Sequence, residues 1–469
     1  MSEVKLPEGW CYACVGDYLY LKNGFAFKST SYVNASEHTY PVIRISDLNG
    51  THASDRNAVH VSAGESGFEI NNGDLLIAMS GATTGKIGVY SGRTPAYQNQ
   101  RVGNITLHST KYGNAKYRDF LISSLSDTIL KIAYGGAQPN ISGKAIEQIK
   151  ILLPPLAEQK IIADKLDDLL ARVESIKTRL ENIPEILKKF RQSVLSAAVS
   201  GKLTEEWRNK YSDSEEVFTE LDGMNCFRDV VLPKLPKKWK WLRFDQVADI
   251  ASNLKSPLDY PDAIHIAPNH VESWTGKLSD FQTISQDNVT SAKHEFYPGQ
   301  IIYSKIRPYL CKVAIAKFGG LCSADMYPIN SKIETDYLFR WMLTITFTDW
   351  ASNAESRSVL PKINQKDLSK VPVPTPPISE QQEIVRLVQT YLSYADSIQS
   401  LVCNGLLRIT SLTQSILAKA FRGELTAQWR EENPELISGL NSAEALLEKI
   451  TAEKLASGTI KKRTKKASN

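Results

Sequence analysis

Two long stretches of the chain carry apolar residues at a regular spacing of alternately four and three positions. The first runs from Ile162 to Val194 and the second from Ile384 to Ile416, and each covers ten such positions, one of which is the glycine Gly405. A mean period of about 3.5 residues is typical of helices that wrap around each other in a left-handed coiled coil. The pattern therefore predicts two long helices, each with an apolar stripe that needs a partner.

These two stretches belong to a tandem repeat. Residues 154–208 align without gaps with residues 376–430, at a constant offset of 222 positions, and 18 of the 55 aligned residues are identical. The identities include a Glu-Gln pair near the start of each copy and a closing Gly-x-Leu-Thr-x-x-Trp-Arg motif that begins at Gly201 and at Gly423. Because a duplication this regular does not arise by chance, we expect the two helices to pair with each other as an antiparallel coiled coil.

Each predicted helix contains one residue that disfavours a continuous helix interior. Pro184 lacks a backbone donor, and Gly405 lies at nearly the same place in the second copy. We expect either a kink at these residues or two stacked helices in place of one. A continuous helix of about 40 residues would extend roughly 60 Å, which is the length of a spacer.

Two segments of similar size, residues 1–153 and 232–373, lie outside the helical copies. Each opens with a Leu-Pro-x-x-Trp phrase and continues with short β-like runs, such as residues 42–45 in the first segment and 263–266 in the second. Gly, Pro and Asn punctuate these runs, which predicts small α+β modules. The chain is therefore expected to be a pseudo-two-fold tandem repeat in which a globular module alternates with a long helix.

The sequence divides accordingly into six regions. In chain order these are the first module at 1–153, a helical region at 154–208, a linker at 209–231, the second module at 232–373, a second helical region at 374–430, and a C-terminal helix with a basic tail at 431–469. The loops of the two modules share almost no residues. Unlike loops on a duplicated frame favour the recognition of two different ligands at a set distance.

Composition indicates a folded protein, with 42% apolar and 23% charged residues. The net charge of +5 argues only weakly for a polyanionic partner, and the basic run near the C-terminus is typical of a solvated tail. No run of 18 apolar residues occurs, and the first residues lack a charged and then apolar leader. We therefore expect no membrane contact and a cytoplasmic location.

Motifs that would carry catalysis or bind a metal are incomplete. Residues 81–86 resemble a phosphate-binding loop but lack its first glycine and its closing Ser or Thr. Residues 433–435 resemble the start of the adenine methyltransferase motif but lack its second proline and its aromatic residue. Cys11 and Cys14 have metal-like spacing without a second pair. The sequence thus predicts no catalytic residue and no metal site, which favours a binding subunit.

One series of features occurs twice in the sequence. It begins with a Pro-Pro pair and a Glu-Gln pair, continues with a predicted long helix, and ends with a Gly-x-Leu-Thr-x-x-Trp-Arg motif. In this respect the chain resembles, over nearly its full length, the specificity subunit of type I restriction-modification enzymes. The resemblance implies two target recognition domains alternating with two helical regions. It also implies a subunit that reads a two-part asymmetric DNA site, has no chemistry of its own, and uses its coiled coil as the ruler for the unread spacer.

The same resemblance implies the partners of the chain. Besides double-stranded DNA, these would be two methylation subunits, which use S-adenosylmethionine to methylate adenines, and two restriction subunits, which add ATP- and Mg-dependent translocation and cleavage. The chain itself would bind none of these cofactors. A pseudo-two-fold scaffold has two equivalent binding positions for identical partner subunits.

Candidate DNA-contacting residues follow from the chemistry of direct readout, in which Arg or Lys binds guanine and Asn or Gln binds adenine. In the first module they are Arg44, Lys86, Arg101, Gln138 and Asn140, and in the second His265, Lys305, Arg307, Lys312 and Lys362. Each could instead contact a phosphate or lie in solvent.

Candidate residues for the coiled coil and for partner docking come from the repeats. They are Leu166, Leu169, Val173, Ile176, Gln192 and Trp207 in the first copy and Val388, Ala395, Ile398, Gln414 and Trp429 in the second. The regions around the repeated Gln-Ser-x-Leu and the closing motif are the expected docking surfaces for the methylation subunits.

Two other functions remain open on the residues alone. The chain could be an adaptor whose coiled coil tethers two protein-binding modules without DNA, although the basic cluster of Lys305, Arg307 and Lys312 argues against it. It could also be a regulator that binds DNA by itself, in which case binding would fall steeply with salt in the absence of partners.

Overall fold

A computed structural model describes residues 6–134, 139–211, 221–352 and 361–457 of the chain. The chain forms two compact units, of which one comprises Met1–Arg179 with Gly405–Asn469 and the other comprises Leu180–Asn404. Each unit therefore contains one module together with about half of each long helix. The first unit also holds the end of the chain.

The first module is built from short strands and short helices. Its strands are β1 (Cys11–Cys14), β2 (Leu19–Asn23), β3 (Tyr32–Val33), β4 (Tyr40–Ile43), β5 (His52–Ala53), β6 (Val59–Val61), β7 (Glu69–Ile70), β8 (Leu75–Ala78), β9 (Ile87–Tyr90), β10 (Ala96–Gln98), β11 (Val102–Leu107) and β12 (Lys150–Leu153). Its helices are α1 (Val15–Tyr18), α2 (Ala115–Ser124), α3 (Ser126–Ala133) and α4 (Gly143–Glu147). The long helix α5 (Leu156–Val199) and the short α6 (Glu205–Lys210) follow.

The second module repeats this plan after a small hairpin of β13 (Cys226–Phe227) and β14 (Val230–Val231). Its strands are β15 (Lys240–Arg243), β16 (Ala248–Ile250), β17 (Leu254–Lys255), β18 (Ile264–Ile266), β19 (Gln282–Thr283), β20 (Lys293–Phe296), β21 (Ile301–Ser304), β22 (Val313–Ile315), β23 (Gly320–Cys322), β24 (Met326–Ser331) and β25 (Pro372–Thr375). Its helices are α7 (Phe244–Val247), α8 (Thr335–Met342), α9 (Ile345–Ser352) and α10 (Gln365–Leu368), and α11 (Ile378–Phe421), α12 (Ala427–Glu432) and α13 (Ala443–Ala456) complete the chain.

The sheets of the two modules follow the same plan, although the second sheet has five strands in the first module and four in the second. A two-stranded sheet, β1-β12 or β15-β25, leads into each long helix. A second sheet has the order β2-β11-β8-β9-β5 in the first module and β16-β24-β21-β22 in the second. A third sheet contains one parallel pair, β4 with β10 or β18 with β23. These topologies confirm the α+β fold and the pseudo-two-fold repeat.

Both long helices are continuous. The helix α5 runs through Pro184 and α11 runs through Gly405, each over 44 residues, so the alternative of two stacked helices is wrong. Pro184 is exposed, and its side chain therefore displaces nothing from the core. The division between the compact units nevertheless falls near both residues, between Arg179 and Leu180 and between Asn404 and Gly405.

The helices pack together in antiparallel fashion within each unit. In the first unit, Ile162 and Leu166 near the start of α5 share a core with Ala420 near the end of α11. In the second unit, the end of α5 at Val194 shares a core with the start of α11 at Ile384. An ion pair from the Arg191 guanidinium to the Asp396 carboxylate, at 2.6 Å, also links the two helices there.

Burial along the predicted stripes is uneven. Leu166, Val173, Val388 and Ala395 are buried, as the heptad pattern predicts, and Leu169 is half-buried. Ile176 and Ile398 are instead 51% and 44% exposed. Burial thus varies along the middle of the stripe, where Val402 is 4% exposed but Ile176 and Ile398 leave apolar surface accessible.

Among the residues that the structure describes, one helix, α11, is long and apolar enough to be a candidate membrane span by length and composition. The sequence showed no unbroken apolar run because polar residues interrupt the apolar ones along this helix. A single helix of this kind is weak evidence. In this structure the start of α11 buries Glu380 and Gln381 against the second module, and its end buries Ala420 against the first.

Candidate nucleic-acid interface

Each module carries one eight-residue hairpin loop at the same point of its second sheet. Loop A, Met79–Lys86, joins β8 to β9, and loop B, Lys305–Lys312, joins β21 to β22. The paired strands on either side are antiparallel in both modules. The two loops share only the closing lysine in sequence, yet they occupy equivalent positions in the fold.

Three backbone hydrogen bonds pin loop A to its module. The Met79 amide donates to the Arg101 carbonyl and the Ile141 amide donates to the Met79 carbonyl, both at 2.9 Å. The Gly81 amide donates to the Pro139 carbonyl at 3.2 Å. The loop is therefore held between the turn before β11 and the segment before α4.

Loop B is pinned by the same three bonds. The Lys305 amide donates to the Asp325 carbonyl and the Ile363 amide donates to the Lys305 carbonyl, both at 2.9 Å. The Arg307 amide donates to the Pro361 carbonyl at 2.7 Å. The modules thus present different side chains on one backbone frame, which is how recognition loops on a rigid scaffold are usually built.

Loop A gathers three of the predicted residues of the first module. Lys86 is the last residue of the loop, and Asn140 forms an isolated β-bridge with Ser80. The Arg101 carbonyl accepts the hydrogen bond from the Met79 amide. All three predicted side chains are exposed. The fourth residue, Gln138, lies outside the described residues.

Loop B gathers four predicted residues of the second module. Arg307 and Lys362 are exposed, and the Lys362 backbone bridges Ile306. The Lys305 ammonium lies 5.4 Å from the centre of the Tyr327 ring. The Lys312 ammonium donates to the Pro268 carbonyl at 2.6 Å and is therefore engaged within the module.

Charge near loop B also acts on a buried neighbour. Desolvation and then the positive charge of Lys305 lower the pKa of the His294 ring. His294 lies on β20 of the third sheet. The loop therefore combines a fixed backbone with a local positive potential, which suits a polyanion.

Arg44 and His265, the remaining predicted residues, have partners inside the protein. The Arg44 side chain lies 3.7 Å from the Asp47 carboxylate and donates to the Asn57 carbonyl at 3.4 Å. His265 is 7% exposed, and its Nδ1 is 2.7 Å from a carboxylate oxygen of Asp287. These contacts hold both side chains against their own module, and their contact with DNA stays a prediction.

The sequence did not predict the shared frame or three of the side chains on it. Tyr309 at the tip of loop B is 49% exposed. The hydroxyl groups of Ser80 and Thr83 in loop A are buried without a hydrogen-bond partner among the described residues. One signal was present, because the pinning segments repeat Pro-x-Ile at Pro139 and at Pro361 with the offset of the helical copies.

The repeated Glu and the closing motif form a buried polar clamp in the first unit. The Glu158 carboxylate accepts hydrogen bonds from Trp10 Nε1 at 2.7 Å, Thr426 Oγ1 at 2.6 Å and Arg430 Nη1 at 2.5 Å. The glutamate side chain is fully buried. Burial raises its pKa, and the three donors, led by Thr426, oppose that shift.

An equivalent clamp forms in the second unit. The Glu380 carboxylate accepts from Trp239 Nε1 at 2.9 Å, Thr204 Oγ1 at 2.7 Å and Arg208 Nε at 3.0 Å. In both clamps the glutamate of one helical copy is held by the Thr and Arg of the other copy. The repeated motif therefore closes the antiparallel arrangement, which explains why Thr and Arg recur.

The repeated tryptophans of the closing motif take no part in the clamps. Trp207 and Trp429 are half-exposed on α6 and α12. The centres of the Trp207 and Tyr211 rings are 5.3 Å apart. Gln414 is exposed, whereas Gln192 donates to the Leu343 carbonyl at 3.4 Å. Both repeated tryptophans are thus partly accessible to solvent.

Comparison with family models identifies both halves of the chain. The model described as a type I restriction modification DNA specificity domain matches residues 7–185 and again residues 236–400. The two matches follow the repeat found in the sequence. Each contains one module and the first part of the helix that follows it.

Curated relatives match over the whole chain. The type I restriction enzyme EcoDI specificity subunit of Escherichia coli is 54% identical over 474 residues, which cover 100% of both chains. The EcoKI specificity subunit of Escherichia coli K12 is 34% identical, again over 100% of both chains.

Among solved structures, the HsdS subunit from Thermoanaerobacter tengcongensis is 17% identical, with a TM-score of 0.57 over 90% of this chain and 99% of that one. A chain from a structure of type I R-M complex assembly and conformational transition is also 17% identical, with a TM-score of 0.60 and the same coverage. At this identity the likeness shows the fold.

Proposed function

This chain belongs to the family of type I restriction-modification specificity subunits, and from that premise we propose that its two modules each read one half of a two-part asymmetric DNA site. The observation that carries the proposal is the pinned loop that occurs once in each module with different side chains. Because the same backbone frame presents different side chains in the two modules, the modules can recognise two different half-sites. As a specificity subunit, the chain is a non-catalytic component of its complex.

Readout would be concentrated at the two loops. In the first module Lys86, Arg101 and Asn140 are exposed beside loop A, and in the second Arg307 and Lys362 are exposed at loop B. Arg and Asn are the side chains that bind guanine and adenine edges through two hydrogen bonds. The lysines would place each module on the phosphates without specifying bases.

The paired helices α5 and α11 would set the distance between the half-sites. Two modules can each reach a major groove only if their separation matches the helical repeat of DNA, about 34 Å per turn. A continuous helix of 44 residues has the length for such a spacer. The bases between the half-sites would then be unread.

Type I specificity subunits work with methylation and restriction subunits, and we propose two of each for this chain. Adenine methylation with S-adenosylmethionine, and ATP- and Mg-dependent cleavage, would belong to those subunits. The exposed apolar side chains in the middle of α11 and the half-exposed tryptophans would serve as docking surfaces. We propose that the complex acts on DNA in the cytoplasm.

The stoichiometry can be tested with the repeated tryptophans. If Trp207 and Trp429 each seat one methylation subunit, alanine at either position should leave a complex with one such subunit, and alanine at both should leave none. Loss of a half-buried interface tryptophan typically costs about 2–4 kcal/mol of binding. Native mass spectrometry of the assembled complex measures the ratio directly.

A matched control for the tryptophan variants is Tyr211→Ala, which removes an exposed ring next to Trp207. It should leave two methylation subunits bound. Two bound subunits in the double tryptophan variant would contradict the proposed seats. The DNA-reading half of the proposal is tested separately, by the pattern of adenine methylation in cells.

A further inference from the structure

Loops A and B share an unusual backbone conformation at two matching positions. In loop A these positions are Gly81 and Gly85, with φ of +83° and +84°. In loop B they are Arg307 and Cys311, both with φ of +47°. A positive φ costs glycine nothing but strains any residue with a Cβ atom. The second module thus places two non-glycine residues where the first uses glycine.

Packing accounts for Cys311 but not for Arg307. Cys311 is 1% exposed, lies in the hydrophobic core of the module, and has a sulfur 3.5 Å from the Met342 carbonyl oxygen. Arg307 is exposed, and within the described ranges its guanidinium has no hydrogen bond or ion pair. Its backbone amide makes the pin to Pro361, which glycine would make equally well, as Gly81 does to Pro139. The arginine side chain therefore contributes strain without an internal contact.

We propose that Arg307 is a specificity-determining residue that reads a guanine in the half-site of the second module. This inference rests on the proposed function and deepens it. Strained residues at recognition sites persist where the side chain has a task outside the fold. The guanidinium is the side chain that pairs with both O6 and N7 of guanine in the major groove.

The surroundings of Arg307 fit this role. Lys362 bridges the preceding residue Ile306 and is exposed on the same frame, so it can contact the phosphate backbone. Tyr309 stands exposed at the tip of the same loop. The three pins fix the loop before DNA arrives, which reduces the ordering cost of a specific contact.

In the first module Gly81 occupies the matching position, and the loop there has no side chain at this point. A Cβ atom added to Gly81 would meet nothing closer than the Ile45 side chain, at 3.4 Å. Space therefore does not exclude a side chain from this position in the first module. We therefore expect a base contact from this loop position in the half-site of the second module and none from the matching position in the half-site of the first module.

The test uses Arg307→Gly in the complete chain with its methylation subunit. Glycine relieves the strain and occurs naturally at the matching position, so the variant should fold and melt no lower than the parent. Discrimination against substitution of one G·C pair should fall by about 10- to 100-fold, in one half-site only. Binding to duplexes carrying single substitutions in the mapped site measures this.

Arg228→Gly is the matched control, because Arg228 also has a positive φ, of +50°, and is exposed on the hairpin before the second module. It should leave discrimination unchanged. Arg307→Lys keeps the charge but not the two-bond geometry, and it should also lose discrimination at that pair.

The outcomes separate this inference from the proposed function. A uniform loss of affinity in Arg307→Gly, with a smaller salt dependence and every base still discriminated, would mean a phosphate contact and overturn the guanine assignment. Unchanged discrimination in Arg307→Gly would overturn it as well. Absence of any two-part site with the parent chain would instead refute the proposed function.

Discussion

Replacing Arg430 with alanine is expected to lower the free energy of unfolding of the first unit by about 3–5 kcal/mol, because the Glu158 carboxylate would stay buried without its counter-charge. Trp10 and Thr426 would still donate hydrogen bonds, but neither carries a charge. The glutamate pKa, already raised by burial, should rise further. Urea unfolding of the purified chain measures the loss.

The control for this change is Arg422→Ala. Arg422 pairs with Glu424 at 2.7 Å, but both side chains are about half-exposed. Exposed pairs contribute about 0–1 kcal/mol, so this variant should unfold almost as the parent does. Equal stability of the two variants would contradict the view that the repeated motif closes the fold.

Lengthening both long helices by one heptad is expected to change the preferred spacing of the half-sites or to abolish methylation. The insertions belong between Arg179 and Leu180 in α5 and between Asn404 and Gly405 in α11, where the compact units divide. Seven residues preserve the apolar stripes and add about 10 Å, the length of about three base steps. Sites methylated in cells report the preferred spacing.

A seven-residue insertion after Gly439 provides the control. This glycine lies between α12 and α13, outside both long helices, and a Cβ atom there would meet nothing within 4 Å. The parental spacing should be retained in that variant. If the double heptad insertion also retained it, the paired helices could not be the ruler.

The period of the stripes and the gapless repeat were sufficient to predict two long antiparallel helices and two α+β modules. Those features follow from the spacing of apolar residues and from the identity between the two copies, and both can be read directly from the sequence. Continuity through Pro184 was harder to predict. The residue is exposed, and the stripe positions on both sides of it are covered, Leu180 partly and Leu187 almost fully.

The correspondence of the loops could not be predicted from sequence, because it lies in backbone bonds and not in residue identities. Gly81 and Arg307 look unrelated as letters, yet they make the same pin. Likewise, the role of Thr426 and Arg430 depends on a glutamate 268 and 272 residues away. Long-range polar contacts of this kind leave no local pattern.

His265 shows how residue type alone can select a side chain that the fold buries and pairs. Residue type alone makes it a candidate for base contact, whereas its partner Asp287 is distant in the sequence and is revealed only by the fold. Exposed Arg, Lys and Asn side chains at the pinned loops are better candidates than paired ones. The exposed and the paired candidates differ in burial and in whether the side chain has a partner within the protein. Neither property can be read from the sequence.

The central claim is that this chain directs methylation to a two-part DNA site. The most direct measurement is a genome-wide map of N6-methyladenine in cells that express its methylation subunit with and without this chain. The account predicts a single two-part motif, with a fixed unread spacer, that appears only when the chain is present. A stable complex without new methylation, or a motif that the methylation subunit produces alone, would contradict it.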